Sequence, residues 1–154
     1  MRQRHVLIVE DNYLLLDMLM GLCERRAMPV LSASSGEAAV SAIRAAGSDP
    51  RGADLALLIT DINLPGLIDG WTVAEAYRTL NPGLPVIYTS TGERNDRRAV
   101  AGSVFLSKPF RIHDVIDLAG TMMRLLPAAP ISGLPQAPQI FPRPHGPQML
   151  QPMG

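Results

Sequence analysis

The sequence predicts an α/β domain built on a doubly wound sheet of five parallel strands with helices on both faces, followed by a proline-rich tail. Three observations carry that prediction. Five short runs dominated by aliphatic residues recur before residue 108, most gaps between them carry apolar residues at helical spacing, and acids, hydroxyls and a lysine stand at the ends of the runs. Short continuous apolar runs suit strands buried on both faces. Parallel strands in turn need covering crossovers of fixed hand, which the intervening helices supply.

The first run, His5 to Glu10 (HVLIVE), is a strand that delivers Glu10 and Asp11 at its C-terminal end. Asn12 to Arg26 then carries Leu15, Leu16, Leu19 and Leu22 at helical spacing, and Pro29 stops the helix before a second strand, Val30 to Ala33. Ser35 or a neighbour caps a second helix over Glu37 to Ala46, which Gly47 closes. Leu55 to Thr60 (LALLIT) is a third strand ending at Asp61, and Trp71 to Leu80 is the next helix. Val86 to Ser90 and Val104 to Ser107 are the fourth and fifth strands, separated by a polar stretch with room only for a shortened fourth helix. Ile112 to Leu126 forms the last helix.

Composition bounds the function. The 154 residues are 47% apolar, enough for one domain with a real core over 1–126. Fourteen basic side chains balance fourteen acidic ones, so no positive field exists to hold DNA or an anionic membrane surface. One cysteine cannot make an internal disulfide, and the N-terminal apolar run is too short for a signal peptide or membrane span, so a cytoplasmic protein is expected. Eight of the fourteen prolines lie in 127–154, where Arg143 is the only charged side chain. Such a segment cannot build a core and reads as a disordered tail, with a docking segment as the alternative. It also lacks the periodicity and basic patch of a DNA-binding output domain.

In a doubly wound sheet ligands bind beyond the strand C-termini. Glu10 and Asp11 follow the first strand, Asp61 the third, Ser90 and Thr91 the fourth and Lys108 the fifth, so all should share one edge. Crowded carboxylates repel and call for a cation, and an all-oxygen set suits Mg²⁺. A lysine and a hydroxyl beside it could bond phosphoryl oxygens, the requirement for phosphoryl transfer onto a carboxylate. Singly, Asp61 could be a turn cap and Lys108 a solvated surface lysine; jointly, in this order, they point to one site.

The motifs VLIVEDN, LLITDINLPG, PVIYTSTG and VFLSKPF give the chain, from about Arg4 to Leu126, a close resemblance to the receiver domain of bacterial two-component response regulators, the stand-alone CheY-like type with a flavodoxin-like sheet. The resemblance implies that Asp61 accepts a phosphoryl group from a histidine of a partner kinase or phosphotransfer protein. It implies that Glu10, Asp11, Asp61 and the backbone carbonyl of Asn63 hold Mg²⁺, and that Lys108 pairs with the phosphoryl group. It further implies that Ser90 and Phe105 act as the switch pair, that the Lys108–Pro109 bond is cis, and that a weak homodimer is one state. On this reading the chain is a signalling switch with an unknown downstream protein partner, or a phosphate sink for a kinase.

Two stretches depart from the family pattern. NLPGLIDGW carries one extra residue before Asp69 and Gly70, and GERNDRRAVAGSVFL shortens the region of the fourth helix, part of the face that reports phosphorylation. Trp71 is expected to pack at a helix start. The charged set Glu93, Arg94, Asp96, Arg97 and Arg98 reads as a solvated loop or short helix. His5, His113 and His145 are too scattered for a metal cluster, and Cys23 reads as a small, partly buried apolar residue. A haloacid-dehalogenase-like phosphohydrolase would need a second acid two residues after Asp61, and that position is Asn63.

Overall fold

The computed structural model describes residues 2–92 and 97–127; the tail expected over 127–154 lies, apart from its first residue, outside them. Strands β1 (Arg4–Val9), β2 (Val30–Ala33), β3 (Asp54–Asp61), β4 (Val86–Ser90) and β5 (Val104–Ser107) form one all-parallel sheet in the order β2-β1-β3-β4-β5. Helices α1 (Tyr13–Arg25), α2 (Gly36–Ser48), α3 (Gly70–Leu80) and α4 (Ile112–Leu125) cover it.

Alternation along the strands sorts the core into two layers. Val6, Ile8, Leu57, Ile59 and Ile87 meet Leu16, Leu19 and Leu22 of α1 and Val115, Ile116 and Ala119 of α4. Leu7, Val9, Leu58, Val86 and Tyr88 meet Ala39, Val40 and Ile43 of α2 and Val73, Ala74 and Tyr77 of α3. Leu55 faces the same layer as Leu58 because the pairing of β1 with β3 slips by one residue between His5 and Val6. Each buried Leu or Ile contributes about 1.5–3 kcal/mol relative to an exposed one, so the apolar periodicity is what holds the helices to the sheet.

Local chemistry sets the helix starts. Asn12 Oδ1 accepts the Leu15 N–H (3.1 Å), Ser35 Oγ the Ala38 N–H (3.1 Å) and Asp69 Oδ1 the Thr72 N–H (2.9 Å), each supplying an acceptor for an N–H that has none within the helix. α1 ends where Ala27 takes φ +55° and Pro29 follows. α2 does not close at Gly47: it runs on to Ser48, and Asp49 is its C-cap. A glycine lowers helix propensity without ending a helix whose neighbours favour it. Cys23 is more buried than expected, with no exposed surface, and burial pushes its thiol up to about 11.

The shortened fourth helix is the one expected element not found among the described residues. Among the described residues no helix separates β4 from β5; 97–102 are turns and a bend, and 93–96 lie outside the description together with Glu93, Arg94 and Asp96. Among the described residues four helices cover the sheet, α4 being the last helix of the sequence pattern. Among the described residues no helix is long and apolar enough to cross a membrane.

Candidate functional site

β1 and β3 lie side by side at the point where strand order reverses. Glu10 and Asp11, just past β1, therefore meet Asp61, the last residue of β3, and carboxylate oxygens of the three lie within 4.8 Å of one another. Glu10 is 2% exposed and Asp61 6%, whereas Asp11 faces solvent. Lys108, the first residue past β5, sets its Nζ 2.8 Å from Asp61 Oδ2 and 2.8 Å from Glu10 Oε2.

Buried Glu10 and half-buried Lys108 both respond to this arrangement. Burial raises the Glu10 carboxyl above its usual range, against the hydrogen bonds from Lys108 and the Asn12 N–H. Burial alone would lower the Lys108 ammonium, but its bonds to Asp61 and Glu10 outweigh that cost and hold it above its usual value. When all are ionised, three carboxylates against one ammonium leave two negative charges. That excess, the all-oxygen donor set and an exposed third acid fit a small, hard divalent cation.

The remaining groups arrive from β4 and the loop after β3. Ser90 closes β4, its Oγ accepting the Gly92 N–H (3.0 Å) with Asn63 Nδ2 at 3.5 Å, and its carbonyl accepts the Lys108 N–H (2.8 Å). The Asn63 N–H donates to Asp61 Oδ1 (3.0 Å), so the two oxygens of Asp61 are held by different donors. The Lys108–Pro109 bond is cis. The Phe105 ring lies 5.0 Å from Tyr88 and 5.8 Å from Trp71, which itself lies 4.8 Å from Tyr88.

The loop with the extra residue is closed at its base. Ile62 N–H donates to the Thr89 carbonyl (3.0 Å) and Gly70 N–H to the Ile62 carbonyl (2.9 Å). A Cβ on Gly70 would lie 2.0 Å from the Asp61 carbonyl oxygen, so only glycine lets α3 start this close to the site. The added length goes outward, leaving Leu67 99% exposed.

A model of the response regulator receiver domain family matches residues 6–119. The chain belongs to that family. The receiver is 28% identical over 113 residues to the uncharacterized transcriptional regulatory protein YbdJ of Bacillus subtilis (strain 168), a match that takes in 71% of this chain and 46% of the relative. It thus spans about half the length of that curated relative. Among solved structures it resembles a response regulator receiver protein from Sinorhizobium medicae WSM419 (27% identity, TM-score 0.65, covering 80% of this chain and 96% of that one). It also resembles the receiver domain of the hybrid histidine kinase CckA (30% identity, TM-score 0.61, covering 77% and 98%).

Of the residues singled out in the sequence, Glu10, Asp11, Asp61, Asn63, Ser90 and Lys108 come together at the receiver's strand-end site, and the Phe105 ring packs against Tyr88 and Trp71. Three others around the site have no strand-end signal. Asp69 caps α3, Arg98 bonds Asp69 Oδ2 (3.2 Å), and Glu37 of α2 accepts the Leu67 N–H (3.0 Å). Asp69 was recognisable as an acid just ahead of a helix; Glu37 and Arg98 act across the fold, where no local pattern reaches.

Proposed function

We propose that the chain works as a cytoplasmic single-domain response regulator in which Asp61 accepts a phosphoryl group from a histidine of a sensor kinase or phosphotransfer protein. The observation that carries this reading is the set of contacts on Asp61: Oδ1 is bonded by the Asn63 N–H and Oδ2 by Lys108 Nζ, beside two further acids. A carboxylate fixed this way is oriented as a nucleophile, and the ammonium is in place for the incoming charge.

In the transfer an Asp61 carboxylate oxygen forms a bond to phosphorus while the phosphorus–nitrogen bond of the donor breaks. The electron pair leaves with the imidazole, whose other ring nitrogen takes a proton from solvent, so that it ends as neutral histidine. Lys108 moves from Asp61 to a phosphoryl oxygen, and Ser90 gives up the Gly92 N–H contact to bond another. Glu10, Asp11, Asp61 and the backbone carbonyl of Asn63 are the groups that would hold Mg²⁺, which neutralises charge on the phosphoryl oxygens when bound. Asn63, an amide where a hydrolase would need an acid, favours phosphate acceptance over turnover of phosphate esters.

Near the mouth of the site, Tyr13 and Leu14 are each 71% exposed and Met18 is 47% exposed on α1. Exposed apolar side chains on one helix suit docking of the phosphodonor. The output is a protein contact on the side of Phe105, moved when Ser90 turns toward the phosphoryl group.

Incubation with Mg²⁺ and a small acyl phosphodonor, followed by intact mass measurement, tests the reading. Wild type should gain one phosphate and Asp61→Asn none; wild type without an adduct, or Asp61→Asn with one, would overturn it. A pull-down with phosphorylated and unphosphorylated chain then separates the two outputs. A partner captured only by the phosphorylated form supports the switch, and none supports a phosphate sink.

A further inference from the structure

The outer half of the loop after β3 leans on α2 rather than on the sheet. The Leu67 N–H donates to Glu37 Oε1 (3.0 Å), and Gly66, at φ +89°, lies against the same carboxylate: a Cβ there would sit 2.8 Å from Oε1 and 3.1 Å from Oε2. One residue back on α2, a Cβ on Gly36 would be 2.2 Å from the Ile68 carbonyl oxygen. Two glycines therefore let the loop backbone lie flush against the first turn of α2, with the Glu37 carboxylate as the acceptor between them. The carboxyl of Glu37, although exposed, is held below its usual range by its own backbone N–H and by that of Leu67, the signature of an anion received by amides.

Between this contact and the site runs a short arc. Asn63 is anchored by its N–H on Asp61 and Leu67 by its N–H on Glu37, and the residues between include the φ-restricted Pro65 and the partly buried Leu64. An arc pinned at both ends has few conformations, so the direction of the Asn63 carbonyl is set by both anchors. We propose that Glu37 is a positioning residue for the divalent cation: by holding Gly66 and Leu67 against α2 it fixes the arc that presents the Asn63 backbone carbonyl beside Asp61. This rests on the reading of Glu10, Asp11, Asp61 and the Asn63 carbonyl as the cation's ligands. It adds a residue from a different helix, acting through a loop longer than the usual family run.

Isothermal titration of the full chain with Mg²⁺, in the absence of phosphodonor, tests the proposal. Glu37→Ala should raise the Mg²⁺ dissociation constant about tenfold, the lower end of outer-shell effects at metal sites. Glu37→Gln keeps an oxygen for the Leu67 N–H while removing the same charge, and should stay within about twofold of wild type. Gly66→Ala should weaken binding as Glu37→Ala does, by pushing the loop off the carboxylate, and the double variant should be no worse than either single one. Amide exchange at Leu67 should rise in Glu37→Ala while the melting temperature moves by only a few degrees.

Equal weakening in Glu37→Gln and Glu37→Ala would assign the effect to charge and overturn the positioning role. So would a fall in melting temperature with an unchanged dissociation constant, or fully additive effects of Glu37→Ala and Gly66→Ala. A wild-type chain that binds no Mg²⁺ would instead sink the metal reading of the site itself, and this inference with it.

Discussion

The two faces of the sheet are sealed by different means. On one, α1 and α4 cover the strands with aliphatic side chains, and even Leu106 of the edge strand β5 packs into that layer. On the other, α2 and α3 cover β1, β3 and the start of β4, while over the rest of β4 and β5 the rings of Trp71, Tyr88 and Phe105 pack together within 5.8 Å of one another. Among the described residues no helix lies there, and the turn segment before β5 is fastened to α3 instead. Arg98 bonds Asp69, Thr72 and Glu75, the Arg78 guanidinium donates to the Ala101 carbonyl, and the Tyr88 hydroxyl accepts the Val100 N–H. Three rings and a few polar fasteners thus stand where a helix would otherwise bury an apolar stripe. An aromatic cluster supplies large buried area with few rotatable bonds, and so substitutes for helix packing where the chain is short.

If the rings carry the load of a helix, Trp71→Ala should cost about 3–5 kcal/mol in urea unfolding, as much as Ile116→Ala on the opposite face at about 2–5 kcal/mol. A loss below about 1 kcal/mol for Trp71→Ala would mean that this face is held by something else. Phe105→Ala removes a half-buried ring and should cost less, about 1–2 kcal/mol, with the phosphate uptake proposed for Asp61 retained because the ring packs on Tyr88 and Trp71. Loss of uptake in that variant would tie the two regions more tightly than the geometry does. Tyr88→Phe keeps the ring and deletes only the acceptor of the Val100 N–H; the expected cost is about 1 kcal/mol, read together with faster amide exchange at Val100.

The smallest effect belongs to the exposed fasteners. Arg98→Ala should cost no more than about 1 kcal/mol, since the side chains of Arg98, Asp69 and Glu75 are 41%, 42% and 52% exposed. Its dependence on pH has a definite sign. Burial tends to raise the Asp69 carboxyl, but bonds from Thr72 and Arg98 outweigh this and hold it below the usual carboxylate range. A depressed carboxyl contributes stability above its unfolded value and loses it as pH falls through the folded one. The gap between wild type and Arg98→Ala should therefore close as pH falls below the usual carboxylate range, and a gap unchanged on acidification would remove Asp69 from the fastening.

Much of this layout was legible in the residues. Val86–Ser90 and Val104–Ser107 are strands at the bounds their apolar runs suggest, and Glu10, Asp61 and Lys108 meet because strand ends share an edge whatever the loops do. What escaped was tertiary in origin. Gly47 looks like a stop but stays helical, because the residues around it favour helix more than one glycine opposes it. Glu37 reads as an ordinary first-turn acid until a loop 30 residues on is placed beside it. Trp71 announces burial, but neither its contact with Phe105 nor the sealing of a face by three rings follows from any periodicity.

Trp71 is the chain's one tryptophan. It follows Gly70, whose backbone abuts the Asp61 carbonyl, and its indole touches the rings of Tyr88 and Phe105. A rearrangement at Asp61 and a swing of Phe105 would both alter the surroundings of this single fluorophore. If Asp61 takes up phosphate and Phe105 swings as proposed, a change in the emission wavelength or quenching of this one indole would follow the transfer in real time without a label.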